Sequence, residues 1–485
     1  MDDLKKIEVE KPASCIGVRH AQVLLLFLAM LLAHSMRTNL SLAIVAMTDP
    51  SSEDSFAWDT QLQGLILSSF LWGYVVLQVP AGEAAARWGG KIPMCVAVGG
   101  NAAVSLVLPA ATYYGGWQFL CGCRVLQGLC QGFLFPSTHC LLSKWVPLEE
   151  KSRLGTMVYA GASLGTGLQM LAAGFTARYL GWAAIFYING SLGAAWTALY
   201  LLYGAASPED SKIISKEERD YIQGSLGHVE GQKQVATPWR SMATSLPFLA
   251  LLAVHAGQTY GFWTLMTGIP SYMSQVLGFD IGTNGVISAL PSLGLCLLSF
   301  PTGFLSDLVL RRRWLGITAS RKLFNTVGSW GPALALIGLS YSGDVTTAVV
   351  CLVFSVALNA GVIPGFMLVH LDMAPAVAGP LMGVTNGISN GLAILAPLVT
   401  AAILDDETDP LQWRKVFLLS ALLYLITNGF FLLFGTSERQ PWNEPAATSK
   451  CQPCQPAAAS KCQPCKPAAD PDRSSSDTAA PEKVV

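Results

Sequence analysis

Charge is what this sequence has least of. Asp, Glu, Lys and Arg make up 13% of its 485 residues and mean hydropathy is +0.45; soluble domains carry roughly 25% charged residues. That shortage excludes a chain built mainly of soluble domains on polar linkers. A strong net charge is missing too. The balance is -1, so bulk electrostatics draws in no nucleic acid or other polyionic partner. The 12 cysteines do not form a disulfide framework. Cys95, Cys121, Cys123, Cys130, Cys140, Cys296 and Cys351 sit in apolar stretches, where a thiol behaves as a small hydrophobe. Cys15 lies in the polar start, and the other four lie in a repetitive tail. No cleavable signal peptide is expected, because the first 20 residues are polar and the apolar run from Ala21 is too long for an h-region.

What is present is a series of apolar segments, each near the ~20 residues a bilayer-spanning helix needs. They fall near 21–47, 60–82, 92–112, 117–142, 154–179, 182–204, 247–274, 284–306, 323–342, 346–370, 378–403 and 413–435. One long polar stretch interrupts them, at 205–246. Six spans, a loop and six more spans is the layout of a transporter made of two related halves. The expected fold is therefore all-α and membrane-embedded. Its parts are an N-terminal segment (1–20), a six-helix bundle (21–204), a linker (205–246), a second bundle (247–435) and a disordered tail (436–485).

Lys and Arg crowd one side of the spans. They include Lys5, Lys6, Lys11 and Arg19, then Arg87 and Lys91, Lys144, Lys151 and Arg153, Lys212 to Arg240, and Arg311 to Lys322. The other side carries Asp49, Glu53, Asp54 and Asp59, and later Asp405, Asp406, Glu407 and Asp409. The positive-inside rule predicts that both termini are cytoplasmic. In the linker, Ser215-Lys-Glu-Glu218 predicts a capping box opening a short helix through Leu226 that packs under the bundle. The tail repeats an eleven-residue unit, Ser449–Ala459 and Ser460–Asp470, each with a Cys-Gln-Pro-Cys. Its Pro, Ala and Ser content predicts disorder; zinc binding or acylation of the cysteines are the alternatives.

Arg37 stands inside the first apolar run, one turn after His34 and before Asn39 and Ser41. A guanidinium at membrane depth costs at least ~2.5–3.5 kcal/mol on insertion scales, so it must face a partner or a watery cavity. Ten residues from the outer end is too deep to snorkel easily. The fourth span holds Arg124, Gln127, Gly128 and Gln131 on one helix face, followed by Pro136 and His139. That stripe suits a polar cavity; a structural Arg124 near the interface is the alternative. No Asp or Glu occupies the middle of a span, since Glu83, Asp307 and Asp372 lie at span ends. A site of net positive charge is completed by an anion, and Arg presents a planar fork to carboxylate or phosphate. Glycines of the fifth span (Gly155, Gly161, Gly165, Gly167, Gly174) and the eleventh (Gly379, Gly383, Gly387, Gly391) allow close helix packing. Trp72, Tyr74, Tyr260 and Trp263 are candidate cavity walls, with His255 and Gln258 as further polar candidates.

From about residue 20 to 445 the chain resembles the major facilitator superfamily, in particular the anion–cation symporter branch of type I sodium–phosphate cotransporters, sialin, and vesicular glutamate and nucleotide transporters. The resemblance rests on Arg37-Thr-Asn39-Leu-Ser41, Ser68 to Tyr74 with Gln78 and Pro80, Arg124-x-x-Gln-Gly128 and Gly181-Trp182 leading to Phe186-Tyr187. It continues through Pro238-Trp239-Arg240, Pro270-Ser-Tyr272, Gly303 to Asp307, Arg321-Lys322, His370-Leu-Asp372-Met-Ala-Pro375 and Gln440-Pro-Trp442-Asn443. It implies two six-helix bundles rocking around a central site, with Arg37 and Arg124 as the anion residues. Asn39, Tyr74, Gln127 and Tyr260 complete the expected substrate set. Gln131 stands where proton-coupled relatives have a glutamate, and an amide cannot titrate; His139 remains as a titratable group in that span. Ala86 replaces the acid of the loop-two motif, while Asp307 keeps it in the second half.

The expectation is a secondary transporter, a monomer in the lipid bilayer of the plasma membrane or an endolysosomal or vesicular membrane. It carries inorganic phosphate or a small organic anion, driven by sodium or membrane potential, with no enzymatic activity, cofactor or bound metal. Proton-coupled organic-anion transport is the alternative mechanism. A non-transporting anion sensor on the same fold is the alternative of another class.

Overall fold

The computed structural model describes residues 17–48, 55–226, 236–278, 281–406 and 408–443. Several expectations fall outside them: Lys5, Lys6, Lys11 and Cys15, the acids Asp49, Glu53, Asp54 and Glu407, Lys233, and the tail with its two Cys-Gln-Pro-Cys repeats. Among the described residues there is no strand.

The first pass is Val18–Met47, and the second is Thr60–Val76 continued after Leu77 by Gln78–Trp88. The third and fourth share the stretch Lys91–Trp145, which folds back at Gly116 (φ 63°, ψ -158°), a conformation that glycine alone adopts without strain. The fifth and sixth are Lys151–Leu180 and Trp182–Tyr203, and the seventh to ninth are Leu246–Gln275, Ile281–Arg311 and Ile317–Ser340. Val345–Met373, Pro375–Ile403 and Pro410–Phe434 complete the twelve. Among the described residues, seven stretches are long and apolar enough to cross a membrane on their own, or eight with the second pass, whose halves meet at 44°. The fifth, seventh and ninth fall short of that test, and the whole fifth pass carries the glycines noted above.

The first pass packs on the fifth and sixth, and the second on the fourth. In the other half, the ninth packs on the tenth and twelfth, and the seventh on the eleventh and twelfth. The halves meet along two seams, fifth pass to eighth and second pass to eleventh. Glycines set the spacing at the second seam. A Cβ on Gly82 would lie 2.8 Å from the Gly379 carbonyl oxygen, and one on Gly383 would lie 2.5 Å from that of Gln78. Within the first half, Gly161 and Gly165 lie against the Phe27 and Leu31 carbonyls of the first pass, also closer than a side chain permits.

The linker helix is Lys216–Leu226, with Tyr221, Ile222 and Leu226 buried beneath the first half. Only half of the expected capping box forms. Ser215 Oγ accepts from Glu218 N at 3.2 Å, but the Glu218 carboxylate turns instead to the first pass. It accepts from Val18 N (2.9 Å), Arg19 N (3.1 Å) and Arg19 Nη1 (2.9 Å). A 30-residue helix begins with unpaired N–H groups and the positive end of its dipole, so a carboxylate is better placed there than on Ser215. Arg19 Nε also donates to Glu150 at 2.9 Å, and Arg153 Nη2 donates to the same carboxylate at 3.0 Å. Burial alone would raise the Glu150 carboxyl; the Arg19 hydrogen bond and charge, with Arg153, hold it below the usual carboxylate range. Gly17 leaves room for this contact, since a Cβ there would collide with Glu218.

Candidate functional site

Residues of both halves enclose a cavity of about 260 Å³. Its walls come from the first, second, fourth and fifth passes on one side and from the seventh, eighth, tenth and eleventh on the other. The tenth pass contributes because it is not a regular helix there. Leu358–Val362 is 3₁₀ and Ile363–Met367 is π-helical, with Gly365 outside helical geometry (ψ -122°). This break turns Asn359, Ile363, Phe366 and Met367 toward the cavity.

Arg37 lies in the wall, among aromatic rings. Its guanidinium carbon is 4.8 Å from the ring centroid of Trp263, 4.9 Å from that of Tyr74 and 5.2 Å from that of Phe70. Such contacts stabilise a desolvated cation by up to about 2 kcal/mol or more, without a counter-charge. Among the described residues, no carboxylate pairs with Arg37, and its buried Nη2 has no hydrogen-bond partner in the protein. Trp263 belongs to the opposite half, so the aromatic box spans both bundles. The guanidinium is held in place, and its Nη2 is buried and open to an acceptor.

The fourth-pass stripe does not reach the cavity. Arg124 is 2% exposed and its Nη2 donates to the Arg37 carbonyl at 3.1 Å, while Nη1 donates to Gln127 Oε1 at 2.9 Å. Gln127 in turn donates to Ser105 Oγ at 2.8 Å, and Gln131 to the Ala33 carbonyl at 2.6 Å. The reason is steric. Gly73 and Gly128 bring the second and fourth passes into backbone contact, so the polar stripe turns inward to the first and third passes. Asn39 is fully buried away from the cavity, with neither amide atom partnered in the protein. Tyr260 is half-buried and outside the walls, and Trp72 is 47% exposed on the flank of the second pass. Of the residues expected to bind substrate or to couple, the cavity gathers Arg37 and Tyr74; of the further wall candidates, Trp263, His255 and Gln258 line it as well.

Two layers close the cavity toward the end where residues 18 and 434 lie. In the first, Tyr159 Oη is 2.7 Å from His139 Nδ1, and His139 Nε2 is 3.2 Å from the Met367 carbonyl across the seam. His139 and His370 meet with ring centroids 5.2 Å apart, and His255, at the cavity wall, lies 5.9 Å from His370. The second layer is ionic. Asp372 accepts from Arg321 Nε at 2.7 Å and Lys151 Nζ at 3.1 Å, and Arg321 Nη1 donates to Ser152 Oγ at 2.9 Å. Asp307 caps the fifth pass from the eighth, accepting from Ser152 N (3.0 Å) and Arg153 N (2.8 Å).

Residue-by-residue reading of the sequence passes over Asn359, Asn386 and Asn390, because neutral amides in apolar runs carry no charge signal. Their helical spacing supplies one only once the eleventh pass is known to face the cavity. Asn386 donates to Tyr74 Oη at 2.9 Å and to Gln78 Oε1 at 3.0 Å, across the seam.

The family model described as Major Facilitator Superfamily matches residues 26–397 and 259–467. A protein of Drosophila melanogaster provisionally named an inorganic phosphate cotransporter is 38% identical over 90% of this chain and 88% of its own. Human vesicular glutamate transporter 2 is 32% identical, over 93% of this chain and 81% of its own. The solved proton:xylose symporter XylE, bound to 6-bromo-6-deoxy-D-glucose, superposes with a TM-score of 0.66 at 14% identity, covering 87% of this chain and 97% of that one. The last likeness shows the fold alone. Twelve helical passes in two halves around a cavity, together with these matches, make the chain a membrane transporter of the major facilitator superfamily, in the branch that holds these phosphate cotransporters and vesicular glutamate transporters.

Proposed function

We propose that the chain carries a small anion across the membrane by alternating access, with Arg37 as the residue that binds it. One observation carries this reading: a guanidinium boxed by rings from both bundles, lining the cavity between them, with no carboxylate partner among the described residues. An arginine in that state accepts an anion in place of lost hydration. The names of the relatives, phosphate and glutamate transporters, agree with a substrate of that sign. Arg124 acts through Arg37: it holds the backbone carbonyl of that residue and positions the fork.

Both termini are cytoplasmic in this reading, and the two closed layers form the inner gate. Gln131 holds an amide hydrogen bond where a coupling acid is absent, so sodium or membrane potential drives the anion. The His139–Tyr159–His370 layer favours a second reading, in which a proton passes at that gate. The test is purified full-length protein in liposomes, offered labelled phosphate and organic anions under separate sodium, proton and voltage gradients. Arg37-dependent anion flux is expected; flux of equal size in Arg37→Lys overturns the assignment.

A further inference from the structure

We infer that the anion taken by this cavity is organic and singly charged, with a flat apolar body; the inference rests on the cavity being the transport site.

Charge comes first. Among the described residues of the wall, Arg37 is the one permanent charge, and no carboxylate lines the cavity. One fork neutralises one carboxylate or sulfonate. A second negative charge would stand desolvated and unpaired, as would the ammonium group of an amino acid.

The amides of the wall are already committed, which leaves, among the described residues, His255 Nδ1 and the hydroxyls of Ser163 and Ser292 as its few uncommitted neutral groups. Asn386 uses its amide donors on Tyr74 and Gln78, and Asn359 donates to the Ser355 and Val356 carbonyls. Asn390 donates back to Asn386, and Gln258 donates to Asn359. A tetrahedral oxyanion of high charge density needs a shell rich in free donors to replace its water. These amides are taken up by other groups of the protein instead.

The remaining wall is apolar. Phe135 and Tyr159 stack with centroids 5.9 Å apart at 16°, on the first-half side. Phe262 and Trp263 face them from the seventh pass, and Phe366 and Met367 from the broken tenth. Aromatic and thioether surfaces bury a ring favourably. A volume of about 260 Å³ leaves much of the cavity empty around a five-atom oxyanion, and accommodates a ring attached to an anionic head.

The experiment uses the full chain in liposomes under an inside-positive potential, with a sodium gradient present. The probes are labelled benzenesulfonate, which stays charged and does not leak as a neutral acid, inorganic phosphate and glutamate. Benzenesulfonate is expected to show saturable, Arg37-dependent uptake with kcat/KM at least tenfold above the other two. Phe262→Ala should reduce that preference severalfold. Phosphate or glutamate carried with the higher kcat/KM, in an Arg37-dependent way, overturns the inference and leaves anion transport standing. Absence of Arg37-dependent flux for all three probes overturns both.

Discussion

The hydroxyl of Tyr74 accepts a hydrogen bond from the Asn386 amide at 2.9 Å, while the ring of the same tyrosine lies 4.9 Å from the Arg37 guanidinium carbon. One side chain therefore touches the Arg37 cation of the first bundle and the eleventh pass of the second. Tyr74→Phe keeps the ring and removes the bond, which is worth about 1 kcal/mol net. Turnover is expected to change roughly fivefold with KM nearly constant, whereas Tyr74→Ala should raise KM. Initial-rate uptake separates the two, and an unchanged Vmax in Tyr74→Phe would show that the bond plays no part in the cycle.

Arg37 and Arg124 differ in what they contact, and the same substitution should report it. Arg37→Lys keeps the charge and loses the fork, so flux should fall by more than tenfold. Arg124→Lys loses the bonds to Gln127 and to the Arg37 carbonyl. Its defect should be smaller, and Arg124→Gln should be worse, because it leaves Gln127 without its cation. Uptake normalised to the amount of protein in the membrane provides the comparison; equal flux in Arg37→Lys and the native protein would place the anion elsewhere.

Coupling can be read from pH. Gln131→Glu adds a titratable group beside the first pass and is expected to introduce pH dependence into uptake. His139→Gln removes a ring held by Tyr159 and the Met367 carbonyl. If the native protein already shows strong proton-driven uptake that His139→Gln abolishes, sodium or potential coupling is wrong and the histidine layer carries the proton.

The linker latch should appear in stability. Removing one member of a buried ion pair costs about 3–5 kcal/mol, and the Glu218 and Arg19 side chains are each 5% exposed. Glu218→Ala should lower the melting temperature in detergent, with Glu218→Gln intermediate because its single oxygen still accepts from one of the Val18 and Arg19 amides. Glu150 adds a pH term. Its folded carboxyl is held below the ordinary value of 4.5, so its contribution is present above that pH and is lost as pH falls through the lower folded value. Glu150→Gln should therefore show a shallower loss of stability below pH 4.5 than the native protein. Identical melting curves across that range would remove Glu150 from the acid response.

Much of this architecture was legible because membrane insertion writes it coarsely. Twelve apolar runs, the linker helix and the depth of Arg37 follow from length, periodicity and the cost of a buried cation. The fourth-pass stripe was harder. Arg124, Gln127 and Gln131 share a face, but sequence does not say whether that face meets a cavity or a neighbouring helix; Gly73 and Gly128 decide it through a backbone contact between passes distant in sequence. Glu218 shows the same limit. Its local pattern matches a capping box, and the winning partner is a helix start some two hundred residues away. The cavity amides were hidden for a different reason, since Asn386 becomes meaningful only when the eleventh pass is set against Tyr74.

The two seams that shut the inner layers are unlike in the reach of their forces. At the second and eleventh passes, Gly82 and Gly379 meet by backbone contact, and dispersion of that kind is largely gone after an ångström of separation. Where the fifth pass meets the eighth and ninth, the Asp307 carboxylate accepts from Ser152 N and the Arg321 guanidinium donates to Ser152 Oγ, and attraction that involves a full charge falls off more slowly with distance in a dry interior. For the proposed cycle, lopsided opening is expected: once the Asn386 bonds to Tyr74 and Gln78 break, the glycine seam loses its attraction first, and the charged seam serves as the pivot. Water then enters first along the second and eleventh passes, and spin-label distances across each seam would show one population moving before the other.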